Sequence, residues 1–399
     1  MNVKSLWKLV LILAIPCIIG FIPAPAGLSE LAWVLFGIYL AAIVGLVIKP
    51  FPEPVVLVIA VAASMVVVGN LGSGVLKTSS VLSGYASGTT WLVFSAFTLS
   101  AAFVTTGLGK RIAYILIGKI GNTTLGLGYV TVFLDLVLAP ATPSNTARAG
   151  GIVLPIINSV AVALGSEPDK SPRRVGHYLM MSVYMVTKTT SYMFFTAMAG
   201  NILALKMIND ICHLQLSWGG WALAAGLPGL VMLLLTPLVI YFMYPPEIKK
   251  VDNKTIAKAG LQDLGPMKGR EKMLLGIFVL ALLGWIFSKS LGIDESTVAI
   301  VVMGTMLLFG VVTWDDVVKN KGGWNTLIWY GGIIGMSKIL ENAKFFEWLA
   351  DTLNKHLDFG DHGMLALVVI LILSVSVRYL FASGGAYVAA MIPVFATVG

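Results

Sequence analysis

Pro140-Ala-Thr-Pro-Ser144-Asn145-Thr146-Ala-Arg148-Ala-Gly150-Gly151 sets three hydroxyls, a carboxamide and a guanidinium close together between proline and glycine. Hydroxyl and amide donors beside a fixed positive charge suit a small anion, carboxylates above all, because charge-assisted hydrogen bonds are the strong ones. A second polar group, Thr187-Lys188-Thr189-Thr190-Ser191, interrupts an apolar run over 175–207. It reads as a break in a long helix, and half-helix N-termini at such a break favour anions through unpaired N–H groups and the dipole. A third group, Ala382-Ser383-Gly384-Gly385-Ala386, carries little side-chain chemistry beyond Ser383. The backbone N–H groups of a Gly-Gly tip can still bind an anion. Ser and Thr in apolar helices ordinarily bond their own backbone. Only clustering raises these hydroxyls above that background.

The first group sits between the apolar runs 129–139 and 152–164. Each is about 11–13 residues, whereas a helix crossing a bilayer needs roughly 20. Two short arms around a polar tip predict a re-entrant hairpin, its tip buried in protein or lining a water-filled cavity. The composition agrees: 57% hydrophobic, 12% charged, with a mean hydropathy of +0.89. The fold class expected is an all-α polytopic membrane protein. A β-barrel is excluded because the apolar runs are continuous rather than alternating. The 27 basic against 19 acidic residues reflect inner-face loops, with no call for nucleic acid. Cys17 and Cys212 imply no disulfide framework, and Lys4 and Lys8 precede a first helix read as uncleaved.

Further spans are expected at 6–21, 30–48, 54–70, 89–108, 218–244, 273–288, 296–312 and 324–340, with an amphipathic piece at 345–357 and a last apolar stretch at 364–399. Basic residues gather after alternate spans, at Lys49, Lys110, Arg111 and Lys119, at Lys249 to Lys272, and at Lys319 with Lys321. That pattern puts the N-terminus in the cytoplasm of a multi-pass plasma-membrane protein. The halves also resemble each other. Thr89-Thr90 to Ala96 aligns with Asn325-Thr326 to Gly332, and Pro143 to Ala147 with Ala382 to Ala386; Pro155 and Pro393 follow the two tips. Inverted repeats with broken helices mark secondary transporters. The expected organisation is scaffold helices over 1–123, a transport part over 124–244, a basic cytoplasmic linker over 245–271, repeat-two scaffold helices over 272–358 and a second hairpin over 359–399. By this match the second repeat is truncated, short of its partner by about 85 residues.

Ser144-Asn145-Thr146 in a Pro/Gly-bounded tip, the partner tip at Ser383, and Thr190-Ser-Tyr-Met-Phe-Phe-Thr-Ala-Met-Ala-Gly-Asn201 resemble the divalent anion/sodium symporter family. Arg148, two residues after the Thr of the motif, is similar to its exchanger branch of citrate or tartrate/succinate antiporters and plastid oxoglutarate/malate translocators. The resemblance implies a homodimer in the lipid bilayer and an elevator-type exchange of small di- or tricarboxylates. It assigns Ser144, Asn145 and Thr146 to substrate, with Thr189, Thr190, Ser191 and the tip Ser383, Gly384 and Gly385 beside them. Gly384 and Gly385 replace the family's polar pair, and Tyr387 stands where exchangers often carry His.

A guanidinium at mid-depth costs at least ~2.5 kcal/mol, so it is rarely idle. Arg148, with Lys188 and Tyr387, is expected to compensate charge where symporters hold Na⁺. No metal or other cofactor is then needed, Na⁺ belonging only to the alternative of a coupled symporter. A structural alternative pairs Arg148 with Asp135 on the same hairpin, and for Lys188 an interfacial position. An empty site carrying unneutralised charge from Arg148 and Lys188 would cross only with a dianion bound, giving obligate exchange. Arg378 is read as structural, and His177, His213, His356 and His362 as solvated. An enzyme is disfavoured: a Ser144 or Ser383 nucleophile needs a base within reach, and no His lies in an apolar segment. No phosphate-binding Gly-x-x-x-x-Gly-Lys-Ser/Thr loop is present for ATP-driven transport.

Overall fold

In the computed structural model the residues described are 3–72, 76–212, 216–356, 363–379, 381 and 384–398. They are helical nearly throughout, from Val3–Phe21 to Gly384–Val398. Six helices among them are long and apolar enough to cross a membrane: Glu30–Ile48, Glu53–Leu71, Gly88–Thr106, Thr124–Ala141, Thr146–Ala163 and Trp218–Met243. The last has 26 residues, about 39 Å at 1.5 Å per residue. Leu223, Leu227 and Phe242 stand at least 72% exposed along it. Outward-facing apolar side chains of this size are paid for only in lipid, where the helix satisfies its own backbone. The chain is therefore an all-α polytopic membrane protein.

Residues 1–91, 202–215 and 322–399 form one compact unit. One contact within it is backbone on backbone. A Cβ on Gly84 would overlap the Gly331 carbonyl oxygen, and one on Gly335 would overlap that of Val81. The short helical turns Thr78–Val81 and Ser83–Ala86 thus lie directly on Lys321–Asn342, with the Tyr85 ring over Gly331. Tyr39 donates its hydroxyl to the Ala389 carbonyl at 2.7 Å, tying Glu30–Ile48 to Gly384–Val398.

Residues 92–201 and 216–321 form the other unit. Here Leu108–Ile120 packs on Asn253–Leu264. Asn253 Nδ2 donates to the carbonyls of Ile117 and Gly118 at 2.9 Å each. Arg111 meets Glu271 in a two-point buried pair, Nε to Oε2 at 2.5 Å and Nη2 to Oε1 at 3.1 Å. The basic segment between Tyr244 and Gly269 is thereby fastened to the helix before the hairpin.

Two expectations need correcting. The hairpin arms are longer than their apolar runs, 18 residues each as Thr124–Ala141 and Thr146–Ala163. Thr123 caps the first arm by accepting the Gly126 N–H at 2.9 Å, which makes its polar first turn helical. On the return arm Thr146–Val153 winds as a π-helix, a geometry favoured at functional sites. Length therefore does not separate a re-entrant hairpin from a crossing pair. The turn is nonetheless inside protein, since Thr142 and Arg148 are 0% exposed.

The helix break is also displaced. Gly176–Met193 runs unbroken through 187–191, and the chain opens only at Phe194, turns through Phe195–Ala197 and restarts at Ala199–Cys212. Thr189 donates to the carbonyl of Met185, four residues back, and Ser191 to that of Lys188, while the Thr190 hydroxyl oxygen lies 3.2 Å from the Val186 carbonyl. Hydroxyls satisfied within the ladder leave the helix intact.

Candidate substrate site

Between Thr142 and Asn145 the hairpin has no regular structure. Its turn is stitched to the helix break. The Ala199 N–H donates to the Pro143 carbonyl at 2.9 Å, and Thr196 Oγ1 to the Pro140 carbonyl at 2.7 Å. Trp218 Nε1 donates to Thr196 Oγ1 at 3.3 Å. Asn201 Nδ2 donates to the carbonyls of Ser191 and Phe194 at 2.6 and 3.1 Å, satisfying groups that the ending helix leaves without partners. Two helix starts, at Thr146 and Ala199, meet at one turn. Each brings the positive end of a dipole, although the Ala199 N–H is taken by the Pro143 carbonyl and the Ala147 N–H by Ser144 Oγ.

Arg148 lies beneath that turn. Its Nε donates to Asp135 Oδ1 at 3.0 Å. Nη1 donates to the carbonyls of Thr142 and Ala197 at 2.9 and 3.1 Å. Nη2 donates to Asn145 Oδ1 at 3.2 Å and Thr190 Oγ1 at 3.1 Å. Thr190 Oγ1 in turn donates to Asp135 Oδ2. A guanidinium has five N–H donors, and here five acceptors take them. Asp135, Arg148 and Thr190 are each 0% exposed.

The structure thus brings Asn145, Arg148 and Thr190 together, with Asp135 as the counter-ion foreseen as the structural alternative. The unneutralised charge expected of an empty site is not present at Arg148. Ser144 is half-buried and its Oγ accepts the Ala147 N–H at 3.3 Å, leaving the hydroxyl proton available. Thr146 is exposed at the first position of the π-helix. Thr189 and Ser191 are buried and turned to their own backbone. Lys188 is exposed, 5.2 Å over the Tyr184 ring. It stands two residues from Thr190, so the helix carries it to the opposite side.

Of the second tip, Ser383 lies outside the described residues, and so do His213 and His362. Gly384 and Gly385 open the last helix, Gly385 against the Trp329 ring. Tyr387 shares a hydrogen bond of 2.8 Å with Ser374 Oγ, and its ring lies 5.6 Å from the Arg378 guanidinium carbon. Sequence reasoning missed Thr196 and Asn201 as fasteners. An Asn directly after Gly, a turn beyond the last apolar helical residue, was the available signal.

The chain matches the sodium:sulfate symporter transmembrane region over residues 3–399. It is 86% identical over 396 residues to the inner membrane protein YbhI of Escherichia coli strain K12, covering 99% of this chain and 83% of that protein. To the putative malate transporter YflS of Bacillus subtilis strain 168 it is 40% identical over 367 residues, covering 92% and 75%. To the L-tartrate/succinate antiporter of Escherichia coli strain K12 it is 36% identical over 405 residues, covering 97% and 82%.

Proposed function

The chain belongs to the sodium:sulfate symporter family, a family of membrane transporters rather than enzymes, and on that premise we propose that it exchanges di- or tricarboxylates of the succinate, malate and citrate class without Na⁺. The relatives named as a malate transporter and a tartrate/succinate antiporter support the substrate class. Charge-assisted hydrogen bonds from the Ser144 hydroxyl, the Asn145 amide and Thr146, in the field of the two helix dipoles, would hold a carboxylate.

One observation carries the Na⁺-independent reading. Arg148 occupies a nest of five oxygens, from Asp135, Thr142, Asn145, Thr190 and Ala197. Carboxylate, carbonyl and hydroxyl oxygens are also what a small hard cation would take as ligands. A guanidinium fixed there does the cation's structural work on turn and break, and it does not dissociate. An elevator movement of the hairpin part against scaffold helices, in a homodimer with a cytoplasmic N-terminus, completes the proposal.

The test is counterflow in proteoliposomes holding the full-length protein. Uptake of labelled succinate that requires internal dicarboxylate and is the same with and without Na⁺ is the expected result. Uptake into empty vesicles that follows a Na⁺ gradient would instead make the protein a coupled symporter, with Arg148 purely structural.

A further inference from the structure

The guanidinium of Arg148 has no donor left for a substrate. Each of its five N–H groups already has an acceptor in the fold, so its effect on a bound anion must pass through another group. Among its partners, Asn145 stands at the turn, half-buried, where the others are buried backbone or buried side chains. Its Oδ1 accepts from Nη2 at 3.2 Å. A carboxamide is planar and carries an acceptor on one side and two donors on the other. With Oδ1 held on the guanidinium, Nδ2 and both its N–H groups face away from it. The flipped amide would set N–H against N–H at Arg148 and turn a bare oxygen toward an incoming carboxylate.

What fixes the guanidinium is a closed ring. Asp135 takes Nε on one oxygen and the Thr190 hydroxyl on the other, and the Thr190 oxygen accepts Nη2. The two anchors come from different helices, Thr124–Leu138 and Gly176–Met193. Both are 0% exposed, so neither reaches a ligand. We infer that Asp135 and Thr190 are positioning residues for anion binding: through Arg148 they fix the Asn145 carboxamide with its N–H pair presented to the substrate. Thr190, expected from sequence to touch substrate, acts at one remove. This rests on the carboxylate reading of the site and deepens it, since the same ring discriminates between a ligand that accepts hydrogen bonds and one that donates them.

The test is a double-mutant cycle on labelled succinate counterflow by the full chain in proteoliposomes. T190V keeps the shape of Thr190 and removes the hydroxyl. It is expected to raise the succinate KM about ten-fold, the loss of one charge-assisted hydrogen bond, with KM rising by more than turnover falls. T190S restores the hydroxyl and the KM. In an N145A background T190V should add nothing, because the group it positions is gone. Independent, multiplying effects of the two substitutions would overturn the inference, as would an unchanged KM in T190V.

A second measurement does not depend on transport. In detergent-purified protein carrying ¹⁵N-labelled asparagine, the Asn145 side-chain amide signal is identified by its loss in N145A. It should shift or broaden in T190V and return in T190S. An Asn145 signal indifferent to T190V overturns the inference whatever the substrate is. A wild type that moves no dicarboxylate, together with an Asn145 signal that still shifts in T190V, overturns the carboxylate reading and leaves the positioning ring standing.

Discussion

The backbone N–H of Ala199 donates to the carbonyl of Pro143 at 2.9 Å, so the first residue of one helix is fastened to the turn that opens another. Neither group is a side chain, so only a proline at position 199, which has no N–H, would remove the link directly. The residues that hold the two segments in register are therefore where mutation can be informative.

Arg148 is the centre of that register. R148A leaves Asp135 buried without a partner, and removing one member of a buried pair costs about 3–5 kcal/mol. A large drop in thermal unfolding temperature in detergent and loss of counterflow are expected together. R148K keeps the charge but brings three donors where five acceptors wait, so its unfolding temperature should fall between the two. Wild-type exchange by R148A would remove Arg148 from the mechanism.

Asn201 closes the end of the broken helix on the Ser191 and Phe194 carbonyls. N201A leaves both without that donor, at a cost of about 1–3 kcal/mol for each buried group left unsatisfied. N201D offers oxygen to oxygen and should be the worse variant. Unfolding temperature and counterflow measured on both would show the ordering; an N201D as stable as wild type would contradict it.

Glu271 gives a dependence on pH. The Arg111 hydrogen bonds, aided by the Lys268 backbone N–H, hold its carboxyl below the usual carboxylate range. A lowered folded value means the stabilisation is complete above the ordinary pKa of about 4.3, and is lost as pH falls through the lowered value. Asp316, bonded by the Thr313 N–H, is lowered in the same sense. Unfolding temperatures between pH 7 and 3 should fall steeply below about pH 4.3 in wild type. In E271Q the curve should start lower and fall less.

Gly84 and Gly304 make a matched pair. A Cβ at Gly84 meets the Gly331 carbonyl, whereas one at Gly304 meets nothing within 4 Å. G84A should destabilise by about 1–3 kcal/mol, as overpacking does. G304A, inside Glu295–Leu308, should stabilise by roughly 0.5–1 kcal/mol through helix propensity. Unfolding in detergent distinguishes the two signs.

The helices and the polar tip were legible because apolar runs and their interruptions are written in composition. What was not legible depended on which acceptor a hydroxyl chooses. Thr189, Thr190 and Ser191 read as a break because a polar run in an apolar helix ordinarily is one, yet Thr189 and Ser191 turn to their own ladder and Thr190 to Asp135 on the neighbouring helix. The real break at Phe194 is made of residues that hydropathy cannot tell from helix. The short arms were an error of the same kind, because the polar turn that Thr123 caps is helical. Asp135 was visible as a partner for Arg148. Its second bond, to Thr190, needed the two helices side by side.

Five oxygens around one guanidinium describe a cage whose guest never leaves. A dissociating ion would empty and refill such a cage every cycle, so each turnover would report the ion's concentration and the membrane voltage acting on its charge. A guest tied by its own side chain stays with the cage, and with Asp135 at 3.0 Å the pair would carry no net charge through the field in the proposed movement. Moving one elementary charge across 100 mV is worth about 2.3 kcal/mol; this pair neither gains nor spends it. In the proposed exchange the membrane potential would therefore have no handle on this pair, and would act only through the charge the exchanged substrates themselves carry.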